Sequence, residues 1–233
     1  MRELLQSYYT YLSAQDEHLA YTGEAPNWGM TLGRRYRVSI VKSLQQAAAA
    51  TGSDRVILCP WIERFPGVVG LWTSVLAGHD ANASLLEALP SRGQRLPNVY
   101  AAVFAIDPLR TAEHLIHRVK QSGIAGIINF PAQSFIDGEA GDILNRLSLG
   151  MEREIEFLTI CVSKGLNIAG VVRSATAAKR LVDVGADFLV VHGGAPHGKL
   201  ADPSIAAANR VTEVLRNTRI RCFPLSSLAY PQT

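Results

Sequence analysis

The chain has 233 residues, of which 48% are hydrophobic and 18% are charged, and its formal net charge is +3. This composition predicts a folded core rather than a disordered chain, and the length fits one α/β barrel domain, which commonly has about 250 residues. Because the basic residues are dispersed, we expect no nucleic-acid partner, and because no run of roughly 18 apolar residues occurs, we expect no membrane partner.

The cysteines indicate a reducing compartment. Cys59, Cys161 and Cys222 are far apart and show no CxxC spacing, which argues against the disulfide framework of a small secreted domain. The first residues carry charged side chains instead of the uninterrupted apolar run of a signal peptide. We therefore expect a cytoplasmic protein.

The first 35 residues differ in pattern from the rest of the chain. Residues 2–14 have the spacing of an amphipathic helix, and residues 20–35 contain the glycines and proline of a loop. No linker or low-complexity boundary follows them. The sequence predicts one domain over 1–233 with an N-terminal helical extension over about 1–35.

Strand and helix patterns alternate after this extension. Short apolar runs predict buried parallel strands at 55–59, 99–106, 126–130, 168–172, 187–192 and 220–224. Helical periodicity is found at 38–50, 81–89, 111–121, 151–164, 175–184 and 203–216. Gly52, Gly123, Gly165 and Gly185 each follow a helical stretch, where a left-handed residue is favoured. Repeated βα units of this kind form either a closed barrel or an open doubly wound sheet, and periodicity does not choose between them.

The segment 126–138, GIINFPAQSFIDG, resembles the phosphoenolpyruvate hydrolase-like family, which carries a similar strand, Asn-Phe-Pro turn and Ile-Asp-Gly loop. Further matches follow the family's order at Glu154 and Glu156, at residues 185–187 and at His192. Residues 78–82 and 105–108 resemble two more family signatures, so the similarity covers roughly residues 38–200.

This resemblance implies a TIM barrel related in architecture to phosphoenolpyruvate mutase and isocitrate lyase, enzymes of small keto or enol carboxylates. We therefore expect a (β/α)8 TIM-type barrel that is incomplete at its N- and C-terminal ends, since only six strands are evident. An incomplete parallel sheet has two unpaired edges. Our hypothesis is that the chain completes its barrel by association, as a homo-oligomer or with a partner subunit.

In a barrel the functional residues lie at the carboxyl ends of the strands. His192 ends a strand, where an imidazole can act as acid or base, although packing is an equal alternative. Asn129 ends another strand, and its amide can donate to a ligand oxygen. Asp107 offers a carboxylate for a proton or a cation, or else an N-cap for the helix near Thr111.

Other candidates come from the same edge of the barrel. Glu154 is placed early enough on its helix to face the mouth, whereas Glu156 is expected in solvent; the alternative for both is a charged outer face with Arg153. Asp80 and Asn82 are interpreted as caps of the following helix. Candidate substrate-binding residues are the polar, cationic and glycine positions Asn129, Arg64, Gln133, Lys199, Gly193 and Gly194.

These residues indicate an enzyme of lyase or hydrolase type that acts on a small carboxylate or keto acid through an enolate-like intermediate. Fixed donors or Mg²⁺ would hold the charge, and His192, Asp107 or Glu154 would move the proton. A different class stays open: a non-catalytic or regulatory barrel subunit that binds a partner protein or a small ligand.

Overall fold

The computed structural model describes residues 30–31, 34–50, 52–63, 79–136, 138–193, 203–225 and 228. Seven parallel strands form its sheet: β1 (Val38–Val41), β2 (Arg55–Leu58), β3 (Leu96–Val103), β4 (Ile124–Asn129), β5 (Asn167–Val172), β6 (Ala186–Val191) and β7 (Arg221–Pro224). Seven helices accompany them in this part of the chain: α1 (Leu44–Ala49), α2 (Ala81–Ala88), α3 (Ala112–Gln121), α4 (Gly138–Arg146), α5 (Met151–Ser163), α6 (Ala175–Val184) and α7 (Pro203–Val214). Short 3₁₀ turns occupy Pro60–Glu63 and Gln133–Phe135.

Each strand pairs in parallel with the next strand along the chain, in the order β1 to β7. This order is that of a (β/α) barrel, because a doubly wound sheet reverses its strand order at a switch point. The sheet is a curled half-barrel, consistent with an incomplete TIM-type barrel. The expected fold class is confirmed.

The curling is visible in contacts across the concave face. Tyr100 of β3 and Phe188 of β6 have ring centroids 5.1 Å apart although two strands lie between them. Phe188 also contacts Phe223 of β7 at 6.2 Å, and Phe223 stacks on Tyr36 at 5.7 Å. Tyr36 lies two residues before β1, and Phe223 belongs to β7. Side chains from both edges of the sheet are therefore in contact in the interior.

Alternation along the strands separates two cores. Residues such as Ile57, Tyr100 and Val190 fill the concave interior. Their neighbours, such as Val56 and Ala101, pack against the helices on the convex face. Burial on both faces explains why the strands appear in the sequence as continuous apolar runs.

The glycines at the helix ends behave as expected at three of four positions. Gly123, Gly165 and Gly185 have φ values of +81°, +79° and +100°, the left-handed region that ends a helix at low cost. Gly52 does not have a left-handed φ, because α1 ends earlier, at Ala49.

The helix predicted over 38–50 is wrong in its first part. Residues Val38–Val41 form strand β1, with Val38 and Ile40 buried in the concave interior, and the helix begins only at Leu44 after the N-cap Ser43. The sequence prediction also missed α4, which has no buried residue. The count of six strands is therefore corrected to seven parallel strands among the described residues.

Most of the predicted N-terminal extension lies outside the described residues, including the helix over 2–14. Within its last part, Met30–Thr31 and Arg34–Arg35 pair as a short antiparallel hairpin. None of the helices in the described ranges has the length and apolar character needed to cross a membrane.

Candidate active site

Asn129, the last residue of β4, links this strand to β5 and to α5. Its Oδ1 accepts from the Val171 backbone N–H at 2.7 Å, and its Nδ2 donates to the Val171 carbonyl at 3.3 Å. Nδ2 also donates to Glu154 Oε2 at 2.9 Å. The side chain is fully buried, so both amide protons are engaged within the protein.

Glu154, in the first turn of α5, is completely buried. Besides Asn129, it receives the backbone N–H of Gln133 on Oε1 at 2.8 Å. Burial raises the pKa of Glu154 to about 8, although both hydrogen bonds act in the opposite direction. Glu154 therefore carries its proton over most of the neutral pH range. Glu156 points to solvent and pairs with Arg153 at 3.0 Å.

His192 follows β6 and contacts Ser134, a residue that was not among the candidates predicted from the sequence. Its Nε2 lies 3.0 Å from Ser134 Oγ. The His192 ring packs against Phe135 with centroids 4.3 Å apart, and its backbone N–H donates to Val172 at 3.0 Å. His192 is 1% exposed, so its orientation is fixed by packing on one side and by Ser134 on the other.

A row of aromatic rings continues from His192 across the carboxyl end of the barrel. Phe135 is followed by Phe130 at 6.2 Å, and Phe130 by Trp61 at 5.4 Å. Trp61 is fully buried, and its Nε1 has no hydrogen-bond partner among the described residues. The row forms an apolar layer beside His192, and the Trp61 Nε1 within it is a buried donor.

A small pocket opens beside this cluster. It has a volume of about 80 Å³ and is lined by residues of the 3₁₀ turn, α4 and the start of α5: Gln133, Ser134, Ile136, Gly141, Leu144, Asn145, Gly150 and Met151. Gln133 is 8% exposed, and its Oε1 has no partner in the part of the chain that the structure describes. A buried amide oxygen without a donor is costly, so it marks a place where a ligand or water would bind.

Asp107 belongs to a second cluster. Its Oδ2 receives Asn82 Nδ2 at 2.7 Å and Arg110 at 3.0 Å, while Oδ1 receives the backbone N–H groups of Leu109 and Arg110 at 2.7 and 3.1 Å. Arg110 also binds Asp80 at 2.8 Å. The described hydrogen bonds of Asp107 are therefore to Arg110, Asn82 and backbone amides, and none of them is to Glu154 or His192.

Of the residues considered as helix N-caps, Asp80 is confirmed, and Asp107 and Asn82 do not cap a helix. Asp80 is the N-cap of α2, where Oδ1 accepts from the Ala83 N–H at 2.8 Å, as expected. Thr111 caps α3 in place of Asp107. Asn82 does not cap the helix: it is buried and bridges to the Phe104 backbone.

Of the remaining candidates, one lies among the described residues. Gly193 follows His192 and is partly buried. Arg64, Gly194 and Lys199 lie outside the described residues. Within the described ranges no group of three His, Cys, Asp or Glu residues is arranged to hold a metal, and the Asp107 carboxylate is occupied by Arg110, Asn82 and two amides. These residues do not fit a Mg²⁺ site.

Ser134 is the main residue that sequence reasoning missed. It stands inside the segment 126–138, next to Gln133, as a hydroxyl in the turn that follows a strand. That position was the available signal, since polar residues just past a barrel strand face the mouth. Its partner His192 is 58 positions away, which no local motif indicates.

Comparison with known proteins gives a family match over most of the described fold. The family model described as "Phosphoenolpyruvate hydrolase-like" matches residues 38–219. The chain is 30% identical over 146 residues to "Uncharacterized protein y4oT" of Sinorhizobium fredii (strain NBRC 101917 / NGR234), covering 63% of this chain and 74% of that protein.

Two further relatives are longer proteins. "Putative transcriptional regulatory protein y4pA" of the same bacterium is 29% identical over 154 residues, which are 64% of this chain and 25% of the relative. "ToMV resistance protein Tm-1(GCR237)" of Solanum lycopersicum is 28% identical over 130 residues, covering 54% and 17% respectively. The matched region is thus a minor part of both.

Proposed function

The chain belongs to the phosphoenolpyruvate hydrolase-like family, and from this premise we propose that it is an enzyme of lyase or hydrolase type. Its substrate is a small carboxylate or keto acid, and its reaction passes through an enolate-like intermediate. The observation that carries the proposal is the cluster of His192, Ser134, Gln133 and Glu154 beside a pocket at the carboxyl end of the barrel.

Enolate chemistry requires a base for the proton next to a carbonyl and a donor for the oxygen that gains charge. His192 is the base. Glu154, whose pKa is raised to about 8, stays protonated at neutral pH, as a general acid must. The unpaired Gln133 Oε1 accepts the hydroxyl of an enol.

The other candidates take supporting parts. Asn129 fixes Glu154 through its amide. Arg64 and Lys199 are the cations proposed to bind the substrate carboxylate, and Gly193 and Gly194 allow its close approach. Asp107 is assigned a structural part, because all of its described contacts are with Arg110, Asn82 and backbone amides.

Proton exchange tests this proposal without knowledge of the reaction's direction. Pyruvate and 2-oxobutyrate are incubated with the protein in D₂O, and loss of the proton signal next to the carbonyl is followed by NMR. We expect exchange above the buffer rate and a loss of about 100-fold or more in His192→Gln, the usual contribution of a general base.

The matched control is His117→Gln, since His117 is exposed on α3. It should exchange at the wild-type rate. Exchange at the buffer rate for every keto acid in the panel would contradict the proposal.

A second candidate function is a regulatory barrel subunit that binds a partner or a small ligand. It is favoured by the two longer relatives, of which the matched region is 25% and 17%, and whose names concern regulation and resistance. Thermal unfolding with Mg²⁺ and with each keto acid separates the candidates, because a ligand at 100 times its Kd adds about 2.7 kcal/mol. A melting temperature that no ligand shifts, together with absent exchange, favours the regulatory subunit.

We also propose that the barrel is completed by association, with a second copy or a partner subunit. In the described part of the sheet, β1 and β7 each have a partner strand on one side, and exposed edge groups favour pairing. Size-exclusion chromatography with light scattering should give an oligomer. A monomer that unfolds cooperatively would exclude this association.

A further inference from the structure

Among the described serines, Ser134 and Ser84 contact an imidazole nitrogen, Ser84 at the longer distance of 3.4 Å from His79 Nε2, whereas other serine hydroxyls have backbone partners nearby in the chain. Four of those bond to the backbone within three residues, as helix caps or as donors to a carbonyl: Ser43, Ser174, Ser122 and Ser163. Ser134 instead lies 3.0 Å from an imidazole nitrogen, His192 Nε2. This is the distance at which a histidine takes a proton from a serine nucleophile.

Ser134 and His192 are both held in this geometry by neighbouring residues. The His192 ring is packed on Phe135 at 4.3 Å. The turn that carries Ser134 is fixed at its first residue by Glu154, which accepts the Gln133 N–H at 2.8 Å, and by the Phe135 N–H to Ala132 at 3.1 Å. Such preorganisation is what proton transfer needs, and it places Ser134 on a rigid turn.

Ser134 is also accessible to a ligand. It is only partly buried and lines the pocket of about 80 Å³, next to the unpaired Gln133 Oε1. A cavity that holds benzene has about 150 Å³, so this pocket suits a group of acetyl or pyruvoyl size. The rest of a substrate would extend from the pocket toward solvent.

We infer that Ser134 is a nucleophile activated by His192, and that it accepts the acyl group of the substrate before water releases it. The inference builds on the proposed function, because the group that leaves is the enolate. The substrate class is then a small compound in which the carbonyl carbon of an acyl group is bonded to the enolisable carbon of a keto acid, that is, the carbon next to its keto group.

The proposed reaction has two halves, acylation of Ser134 and hydrolysis of the acyl-serine. Ser134 Oγ bonds to the acyl carbon while its proton passes to His192 Nε2; the carbon–carbon bond then breaks, its electron pair leaves with the enolate, and the imidazolium protonates that enolate. In the second half, water gives a proton to His192 and attacks the acyl-serine. The carboxylic acid leaves, and the proton returns to Ser134 Oγ.

Acetylation by para-nitrophenyl acetate tests this inference independently of any natural substrate. We expect a burst of nitrophenolate and, after an acid quench, an acetyl group on Ser134 located by tandem mass spectrometry. In Ser134→Ala the burst disappears, and in His192→Gln its rate falls by about 100-fold. Ser163→Ala, which removes an exposed hydroxyl bonded to a backbone carbonyl, keeps the burst.

The wild-type protein provides a readout that no misfolded variant can affect, namely which serine is acetylated. Acetyl groups spread over other residues, or an unchanged burst in a folded Ser134→Ala protein, would overturn the inference. Absence of acetyl-Ser134 in a wild-type protein that still catalyses keto-acid exchange, a reaction that needs His192 and not Ser134, also overturns the inference and leaves the proposed function intact. Acetyl-Ser134 without any keto-acid exchange supports the nucleophile and removes the proposed enolate chemistry instead.

Discussion

Asn82 and Asn129 make the same set of hydrogen bonds in two regions of the barrel. Each accepts a backbone N–H on Oδ1 and donates Nδ2 to the carbonyl of the same residue, Phe104 in one case and Val171 in the other. Each also donates to a carboxylate, Asp107 at 2.7 Å and Glu154 at 2.9 Å. The two regions therefore share one local design.

The two regions differ in the other groups that contact the carboxyl group, Asp107 in one region and Glu154 in the other. Asp107 forms an ion pair with Arg110 at 3.0 Å, and Arg110 also binds Asp80. Although burial raises the pKa of Asp80, the hydrogen bond and charge of Arg110 outweigh it and hold this pKa below its usual value. Glu154 has no ion pair among the described residues, and burial raises its pKa to about 8.

The difference shows why position alone does not identify a functional residue. Both carboxylates stand near strand ends, but a carboxylate with a cation beside it is already neutralised and serves the fold. One that is buried without a cation changes protonation near neutral pH, as acid–base catalysts do. The presence of Arg110 beside Asp107, and the absence of a described cation beside Glu154, is what separates the two regions.

The largest expected effect is the pH dependence that Glu154 gives to stability. Its pKa rises from 4.5 to about 8 on folding, so the folded state binds one proton more between these values. The resulting stabilisation is full below pH 4.5 and is lost as pH rises through 8. From pH 5 to pH 8 the free energy of unfolding should fall by about 4 kcal/mol, at about 1.4 kcal/mol per unit.

Chemical denaturation of wild type and Glu154→Gln at pH 5, 6, 7 and 8 measures this dependence. The variant cannot ionise, so the difference between the two proteins isolates Glu154 from all other groups. Parallel curves for the two proteins would show that Glu154 does not titrate in this range.

Removal of Arg110 should make the Asp107 region resemble the Glu154 region. Arg110→Met leaves Asp107, whose side chain is 4% exposed, without its cation. We expect a loss of about 3 kcal/mol in the free energy of unfolding, the size found when one partner of a buried ion pair is removed.

Arg216→Met is the matched control for this variant. Arg216 pairs with Glu213, but the two side chains are 70% and 69% exposed, so stability should hardly change. If Arg110→Met behaved in the same way, the ion pair would not be what distinguishes the two regions.

The two asparagines should be of similar importance to the fold and of different importance to pH dependence. Asn82→Ala and Asn129→Ala each leave a backbone N–H and C=O unpaired, at a cost of about 2 kcal/mol by urea denaturation. In Asn129→Ala, Glu154 also loses a donor that favours its charged form, so the fall of stability should extend to higher pH. An extension seen equally in Asn82→Ala would reject the assignment to Glu154.

Sequence patterns predicted the repeated βα units better than the first strand. Alternating apolar runs and helical stretches, with glycines at 123, 165 and 185, indicated these units because each repeats the same burial pattern, and the family resemblance then favoured a barrel over an open sheet. Residues 38–41 were assigned to a helix because Val38–Val41 has only four residues and runs directly into the pattern of α1. A strand this short is recognised by its pairing with β2, which is a tertiary contact.

The residues of the candidate site were also predicted better than the contacts between them. His192, Asn129 and Glu154 could be proposed from strand ends and the family resemblance, because one residue and its position carry that signal. The Ser134–His192 contact joins residues 58 positions apart, and the pairing of Asp107 with Arg110 requires the turn between them. The separation in sequence kept Ser134 from being proposed, and the ion pair of Asp107 with Arg110 could not be predicted from the order of the residues.

The smallest effect is expected from the second glutamate of α5. Glu156 lies two positions after Glu154, but its side chain is 62% exposed and pairs with Arg153, which is 59% exposed. An exposed pair contributes at most about 0.5 kcal/mol when it is a helical i,i+3 pair. Glu156→Gln should therefore leave the urea midpoint almost unchanged and keep the wild-type fall of stability from pH 5 to pH 8. If Glu156→Gln flattened that fall as Glu154→Gln is expected to do, general charge on α5 and not burial of one carboxyl would be its cause.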